Sequence, residues 1–331
     1  MAENLIEVRN LTIEFPLRNG TLRAVNNVDF DIPKGKITAL VGESGSGKST
    51  MAMALLKVVS SPGLIKNGSV YFNGKDVLKF NKTELINYKW ASVSMVFQAA
   101  QNALNPVMLI KDQIIETAKA HNKDMKEVDI LKKASELMEF VRLEPDRVLN
   151  AYPHELSGGM KQRVMIAFSL LLDPDLVILD EPTTALDVIT QDYIFDILIQ
   201  IHKKLNITML LLTHDIGVVA KVADRIGVMY AGNVVEVGDV FTILKNPSHP
   251  YTANLINAAP SLIDDFKNKK AIVGSPPDLF NTPKGCAFRP RCEMAKDQCE
   301  QTKPDYTQIA EGHIAACHFC REYKEVEKDG K

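Results

Sequence analysis

The sequence GESGSGKST at residues 42–50 decides the fold class of this chain, because it fits the phosphate-loop pattern GxxxxGK[ST]. An apolar run at 37–41 precedes it and predicts a strand, and a predicted helix over 49–59 follows it. Glycines let backbone N–H groups turn toward a phosphate, and the helix directs its positive end to the same point. We therefore predict a phosphate-binding loop, whose candidate residues are Gly42, Ser44, Gly45, Ser46, Gly47, Lys48, Ser49 and Thr50.

Two carboxylates farther along the chain complement this loop. The apolar run 176–179 predicts a buried strand, and Asp180 and Glu181 follow it directly. The first carboxylate can support Mg²⁺, and the second can polarise an attacking water as a general base. We therefore predict that Lys48 contacts the β- and γ-phosphates of a nucleotide and that Ser49 and Asp180 support Mg²⁺.

The segments around these motifs alternate between strand-like and helical patterns. Strand-like segments over 5–15 and 22–31 flank an Asn-Gly pair, which is typical of a hairpin. Apolar runs at 176–179 and 207–212 enclose a predicted helix, and this order favours a parallel sheet covered on both faces. Apolar residues at helical spacing over 126–142 predict a helical insertion.

These patterns predict an α/β fold. It has a P-loop core with an N-terminal antiparallel β part, a helical insertion and a small C-terminal cysteine-containing extension. Prolines and then cysteines become frequent after Asn246, so we place a domain boundary there. The predicted parts are the core over 1–98 and 166–245, the helical subdomain over 99–165 and the extension over 246–331.

A second candidate anion site lies at residues 156–163, LSGGMKQR. Ser157, Gly158 and Gly159 stand at the start of a predicted helix, where N–H groups and the helix dipole favour negative charge. This segment resembles the LSGGQ signature of the ABC ATPase family, with Met160 in place of the usual glutamine. Further elements of that family follow in the family's order over residues 5–245.

The resemblance implies roles for several other residues. Gln98 matches the glutamine that senses the metal and the attacking water, and His214 matches the switch histidine. Asp187 ends the match to the D-loop at 185–187, and Phe15 stands where the family places an aromatic ring on adenine. It also implies that the signature helix reaches ATP held by a second ATPase subunit, so that two nucleotides lie between the two chains.

The C-terminal segment narrows the resemblance. The motif HPYT at 249–252 and the later cysteines resemble the extension of the oligopeptide/dipeptide importer ATPases. All five cysteines lie within 286–320, and in a reducing compartment such a cluster indicates a metal site before disulfides. The resemblance implies a 4Fe–4S cluster on Cys286, Cys292, Cys299 and Cys317, with Cys320 as a spare. Zinc and unmetallated thiols are the alternatives.

Composition excludes several classes of protein. Of 331 residues, 46% are hydrophobic and 24% are charged, as in globular proteins, and the net charge of −2 gives no basic field for nucleic acid. No apolar run approaches the ~20 residues of a membrane-spanning helix, and no secretory leader is visible. We therefore expect a cytosolic protein whose membrane role comes through a partner.

The resemblance as a whole implies the ATPase subunit of a dipeptide/oligopeptide-class importer, held peripherally on the cytoplasmic face of the membrane. Expected cofactors are ATP, Mg²⁺ and the 4Fe–4S cluster. Expected partners are a homologous or identical second ATPase, two permease subunits and, indirectly, an external solute-binding protein. Nickel and oligosaccharides are alternative solutes, and a soluble ABC ATPase or an iron–sulfur assembly protein is a rival class. Because the cysteines are far in sequence from the ATPase motifs, we expect hydrolysis to persist when they are replaced.

Overall fold

The computed structural model describes residues 3–184, 186–259 and 272–320. The strands are β1 Asn4–Leu17, β2 Gly20–Pro33, β3 Ile37–Val41, β4 Leu64–Phe72, β5 Lys75–Asp76, β6 Val93–Val96, β7 Leu176–Asp180, β8 Thr208–Thr213, β9 Arg225–Tyr230, β10 Asn233–Asp239, β11 Thr307–Ala310 and β12 His313–Ala315. The helices are α1 Lys48–Leu55, α2 Lys82–Tyr88, α3 Ile110–His121, α4 Glu127–Phe140, α5 Pro145–Leu149, α6 Gly158–Ser169, α7 Val188–Leu205, α8 Ile216–Val222, α9 Val240–Lys245, α10 Pro250–Ala258 and α11 Gln298–Gln301. Within the described ranges, no helix is both long enough and apolar enough to cross a membrane.

The chain forms two compact units. The first comprises Met1–Leu78 together with Leu212–Lys331, and the second comprises Lys79–Leu211. The first unit therefore holds both the phosphate loop and the cysteine-containing extension. The second holds the signature segment and the two candidate catalytic carboxylates.

An antiparallel sheet forms the N-terminal part of the first unit. Its strand order is β2-β1-β4-β5, and β1 and β2 form the hairpin that the Asn-Gly pair predicts. Ile6, Val8 and Ile13 on β1 are fully buried, so this face of the sheet contributes to the core.

A second sheet in the same unit carries the phosphate loop. Its strands in this unit follow the order β11-β12-β10-β9-β3, with β3 parallel to β9 and the other pairs antiparallel. All five residues of β3 are buried, as expected for a strand covered on both faces. The C-terminal extension contributes β11 and β12, so it is part of this sheet.

A buried carboxylate joins the extension to the sheet. Glu236 on β10 is fully buried and accepts hydrogen bonds from the backbone N–H groups of Ser248, at 2.6 Å, and His249, at 3.0 Å. Its Oε1 also lies 2.7 Å from Nε2 of His313 on β12. Burial lowers the pKa of the nearby His249 to about 4, so that imidazole is neutral at neutral pH. Glu236 thus holds three separate segments together.

The second unit combines parallel strands with helices. Its strands follow the order β8-β7-β6, and β6 is parallel to β7. The helices between β6 and β7 form the predicted helical insertion. On α4, Ile130, Ala134 and Met138 are buried at four-residue spacing, which places them on one face of the helix.

Candidate nucleotide site

The phosphate loop joins β3 to α1 in the first unit. Gly47 caps the helix with a left-handed backbone (φ 103°), and no side chain caps the first turn. A Cβ at Gly47 would lie 2.3 Å from the carbonyl oxygen of Ala24, so only glycine fits there. The N–H groups at this end of α1 are therefore suited to bind a phosphate. The helix ends at Leu55, earlier than predicted, because Lys57 is left-handed (φ 52°).

Lys48 places its ammonium group within the loop. The side chain is buried, and Nζ donates hydrogen bonds to the carbonyl oxygens of Gly42, at 2.7 Å, and Glu43, at 3.1 Å. Ser44 and Gly45 are exposed at the tip of the loop. The half-buried Ser49 and Thr50 follow Lys48 in the first turn of α1.

Phe15 and His214 also belong to the first unit. Phe15 is half-buried on β1, and its ring packs over Gly63, where a Cβ would lie 2.7 Å from ring atom Cε1. His214 is exposed and directly follows β8. The structure therefore places the Phe15 ring against the turn before β4.

Gln98 and Glu181 meet in the second unit at the carboxyl ends of two parallel strands. Val96 on β6 pairs with Leu179 on β7, so the residues just beyond these strands lie at one edge. Gln98 Nε2 donates to Glu181 Oε2 at 3.2 Å, and Thr184 Oγ1 donates to the same oxygen at 2.9 Å. Glu181 is left-handed (φ 45°), a strained conformation that is common at functional sites. Two donors thus orient this carboxylate.

The candidate magnesium ligands are all hard oxygen donors. Asp180 ends β7 with only 3% of its surface exposed, and Gln98 carries an amide oxygen next to the same edge. Ser49 contributes a hydroxyl in the first unit. Hydroxyl, carboxylate and amide oxygens are the ligands that Mg²⁺ accepts, so the chemistry of this donor set fits the ion.

The signature and D-loop residues meet at two helix N-termini in the second unit. Ser157 caps α6 by accepting from Met160 N at 3.3 Å, and Asp187 caps α7 by accepting from Thr190 N at 3.0 Å. A Cβ at Gly159 would lie 2.9 Å from Thr190 Cγ2, so glycine permits this close approach. Hydrogen bonds from Thr190 hold the pKa of Asp187 below its usual range. Ser157 and Gly158 are exposed, and Ala185 of the predicted D-loop lies outside the described residues.

A direct contact that the sequence motifs do not predict joins the extension to the phosphate loop. Arg291 makes a two-pronged ion pair with Glu43, at 2.7 and 2.9 Å. Glu43 N also donates to the hydroxyl of Tyr251, in the HPYT motif, at 3.0 Å. The cysteine segment is therefore far from the phosphate loop in sequence and next to it in the structure, and the expectation that hydrolysis persists after cysteine replacement stays a prediction. The sequence features behind this contact are the acidic Glu43 inside the loop and Arg291, directly before Cys292.

The structure does not support the expected iron–sulfur site. In the described part of the chain, no group of three or more His, Cys, Asp or Glu side chains is arranged to hold a metal ion. One pocket is nevertheless lined by Cys286, Cys292, Cys299 and Cys317. Its volume of about 10 Å³ accommodates roughly one water-sized sphere, so a cluster would require these thiols to move apart. Cys320 does not line this pocket and is buried.

The strand, glycine loop and uncapped helix of the first unit, with the strand-end carboxylates of the second, define the class of P-loop nucleotide hydrolases. A family model for ABC transporters matches residues 25–184, and one for the oligopeptide/dipeptide transporter C-terminal region matches 235–299. The chain belongs to the ABC transporter family and is an ABC ATPase of its oligopeptide/dipeptide group.

Curated relatives match nearly the whole chain. The dipeptide transport ATP-binding protein DppD of Caldanaerobacter subterraneus subsp. tengcongensis is 45% identical, over 96% of this chain and 98% of the relative. The oligopeptide transport ATP-binding protein OppD of Bacillus subtilis is 42% identical, over 93% of this chain and 87% of the relative. The predicted family assignment is confirmed.

Solved structures match the cassette part of the chain. A dimeric post-hydrolysis state of the ATP-binding cassette MJ0796 bound to ADP and phosphate has a TM-score of 0.62 and 28% identity, covering 71% of this chain and 98% of that one. CbiO1 of Clostridium perfringens has a TM-score of 0.63 and 27% identity, covering 76% and 95%. These matches confirm the predicted α/β fold class and the ATPase activity.

Proposed function

We propose that this chain is the ATP-hydrolysing subunit that powers dipeptide or oligopeptide uptake through a membrane transporter. The observation that carries the proposal is the joint match of residues 25–184 to ABC transporters and of residues 235–299 to the oligopeptide/dipeptide C-terminal region. The protein then lies peripherally on the cytoplasmic face of the membrane, held by two permease subunits. An external binding protein delivers the solute to those subunits.

The proposed chemistry distributes roles among the residues described above. Lys48 contacts the β- and γ-phosphates of ATP, while Ser49, Asp180 and Gln98 supply oxygen ligands to Mg²⁺, which neutralises phosphate charge when bound. Glu181 accepts the proton of the attacking water, since its carboxylate is already oriented by two donors. The other proposed ATP contacts are made by Phe15 at the adenine, by His214, by Asp187 and by the phosphate-loop residues Gly42, Ser44, Gly45, Ser46, Gly47 and Thr50.

We propose that Ser157, Gly158 and Gly159 act on ATP held by a second ATPase subunit, either identical or homologous. The support is the exposure of Ser157 and Gly158 at the N-terminus of α6, where N–H groups can face a partner. In this proposal residues 99–165 form the helical subdomain that receives the permeases. Residues 1–98 and 166–245 form the ATPase core, and 246–331 form the extension.

Uptake into vesicles tests the proposed solute class. The chain would be produced with the permease subunits and the second ATPase encoded beside it, and the purified complex would be placed in vesicles with its binding protein. We expect uptake of labelled dipeptide that depends on ATP, with unlabelled peptides as competitors. Competition by nickel or an oligosaccharide instead of peptides would assign a different solute. Absence of any co-purifying permease would contradict a transport role.

We further propose, on the family resemblance, that Cys286, Cys292, Cys299 and Cys317 bind a 4Fe–4S cluster. The four thiols line one pocket, although the side chains in the described part of the chain are not arranged to hold a metal ion. Thiolates are the usual ligands of such clusters. Binding would order a segment that has few long apolar runs, and it would require the pocket to widen.

Cysteine replacement tests the cluster directly. We expect anaerobically purified protein to be brown, with about four irons per chain and broad absorbance typical of thiolate-bound iron–sulfur clusters. Cys286→Ser or Cys292→Ser should remove the colour and increase cleavage of the extension by protease, because each removes one of four ligands. The matched control is Cys320→Ser, which should change neither. Colourless protein with one zinc per chain would assign zinc, and bleaching by Cys320→Ser would show a wrong ligand set.

A further inference from the structure

The second residue of the phosphate loop is held by the C-terminal extension. The two guanidinium nitrogens of Arg291 contact the two carboxylate oxygens of Glu43 at 2.7 and 2.9 Å. The Arg291 side chain is only 4% exposed and that of Glu43 is 24% exposed, so water screens this pair weakly. A parallel two-pronged pair of this kind fixes direction as well as distance.

Arg291 is itself anchored on several sides. Its Nε donates to the carbonyl oxygen of Val273 at 2.9 Å, and one terminal nitrogen lies 3.3 Å from the hydroxyl of Tyr230. The guanidinium also lies 5.8 Å from the centre of the Tyr230 ring. Tyr230 packs against the rings of Tyr251 and Phe288 in the buried core of the first unit. The arginine is therefore a fixed group, with little conformational entropy left to lose.

The backbone of the loop is held from the same side. Glu43 N donates to the hydroxyl of Tyr251, which is fully buried. A cavity of about 160 Å³ is lined jointly by the loop residues 43–46 and by the extension residues Pro276, Pro277 and Leu279. The extension thus meets both the side chain and the backbone of Glu43.

The electrostatic consequence concerns the nucleotide. Glu43 puts a carboxylate inside a loop whose ligand is a polyphosphate, and two negative charges so close repel each other. Arg291 supplies the compensating charge and also turns the carboxylate toward the extension. Without the arginine, the carboxylate would lose its partner and the loop would lose its lateral support.

We propose that Arg291 is a positioning residue for ATP binding, which neutralises Glu43 and fixes the phosphate loop through this ion pair. The proposal rests on ATP binding by this chain and does not depend on which solute is transported. Arg291 does not touch ATP in this scheme. It acts only through Glu43.

The test measures ATP affinity of the purified full chain and the KM and kcat of its hydrolysis. Arg291→Ala should weaken ATP binding and raise KM by roughly 3- to 30-fold, the range found for residues that act on a site without touching its ligand. At saturating ATP, kcat should stay within about twofold of wild type, because the residues proposed for the chemistry are unchanged. The matched control is Arg289→Ala. Arg289 lies in the same short turn as Arg291 but pairs with the exposed Glu300, at 2.7 Å. Replacement of Arg289 should therefore leave KM unchanged.

A double-mutant cycle decides whether the arginine acts through Glu43. In a Glu43→Ala background, Arg291→Ala should produce less than about a twofold further change in KM, because its partner is already gone. An unchanged KM in Arg291→Ala, or an equal loss in both backgrounds, would overturn the proposal. Should Arg291→Ala not fold, Arg291→Lys supplies the same comparison, since it keeps the charge and loses the two-pronged geometry. A rise in KM that appears only when Glu43 is present supports the proposal, and an equal rise with and without Glu43 overturns it.

Discussion

Glu181→Gln is expected to slow ATP hydrolysis by about 10²- to 10⁴-fold while ATP binding stays near its wild-type level. Glutamine has the same shape and still offers an oxygen to Gln98 and Thr184, so the local hydrogen bonds can persist. It cannot take a proton from the attacking water. The variant should therefore accumulate as an ATP-bound pair of ATPase subunits, measured by gel filtration with ATP and by steady-state hydrolysis.

The control for this experiment is Lys48→Ala, which should weaken ATP binding, whereas Glu181→Gln should leave ATP binding unchanged. Its ammonium group lies inside the phosphate loop, so its removal should weaken nucleotide binding itself. A Glu181→Gln variant that hydrolyses ATP at nearly the wild-type rate would remove this carboxylate from the role of general base. The comparison separates loss of binding from loss of chemistry, which a single activity measurement would merge.

Contiguous motifs made much of this protein predictable from sequence. Gly42 to Thr50 are neighbours along the chain, and the strand and helix on either side follow from local patterns. The hydrogen bond between Gln98 and Glu181 follows in turn from the pairing of two strands that local patterns predict. Both stand just beyond apolar strands, and parallel pairing brings such ends to one edge. Periodicity and spacing carry this kind of information.

Long-range pairs were not predictable in this way. Arg291 and Glu43 are 248 positions apart, and as isolated charged residues each would be expected on a solvated surface. Glu236 is likewise an ordinary strand residue in sequence, yet it is fully buried under Ser248, His249 and His313. Glu236 is enclosed by His313 on an extension strand, and Arg291 by Val273 and Tyr230, contacts that no local pattern reports. Their partners therefore emerge only from the topology.

Ser157→Arg is the second change with a large expected effect, and its effect should depend on a partner. Ser157 is exposed at the N-terminus of α6 and caps it through Met160 N. An arginine there adds bulk and charge where the second subunit's ATP is proposed to dock. Hydrolysis by the assembled pair should fall to background. ATP binding by the isolated chain should remain within about twofold of wild type, because its own phosphate loop is unchanged.

The matched variant Ser157→Ala separates the loss of the cap from the loss of docking. Removing an N-cap costs about 1 kcal/mol of helix stability, so this variant should be slightly less stable. It should still form the ATP-bound pair of subunits and hydrolyse ATP. Two measurements distinguish loss of the cap from loss of docking: ATP binding by the isolated chain, and ATP-dependent dimer formation. If the arginine variant loses ATP affinity as a single subunit, the signature helix acts on the nucleotide of its own chain. The proposed exchange of contacts between two subunits would then be wrong for this protein.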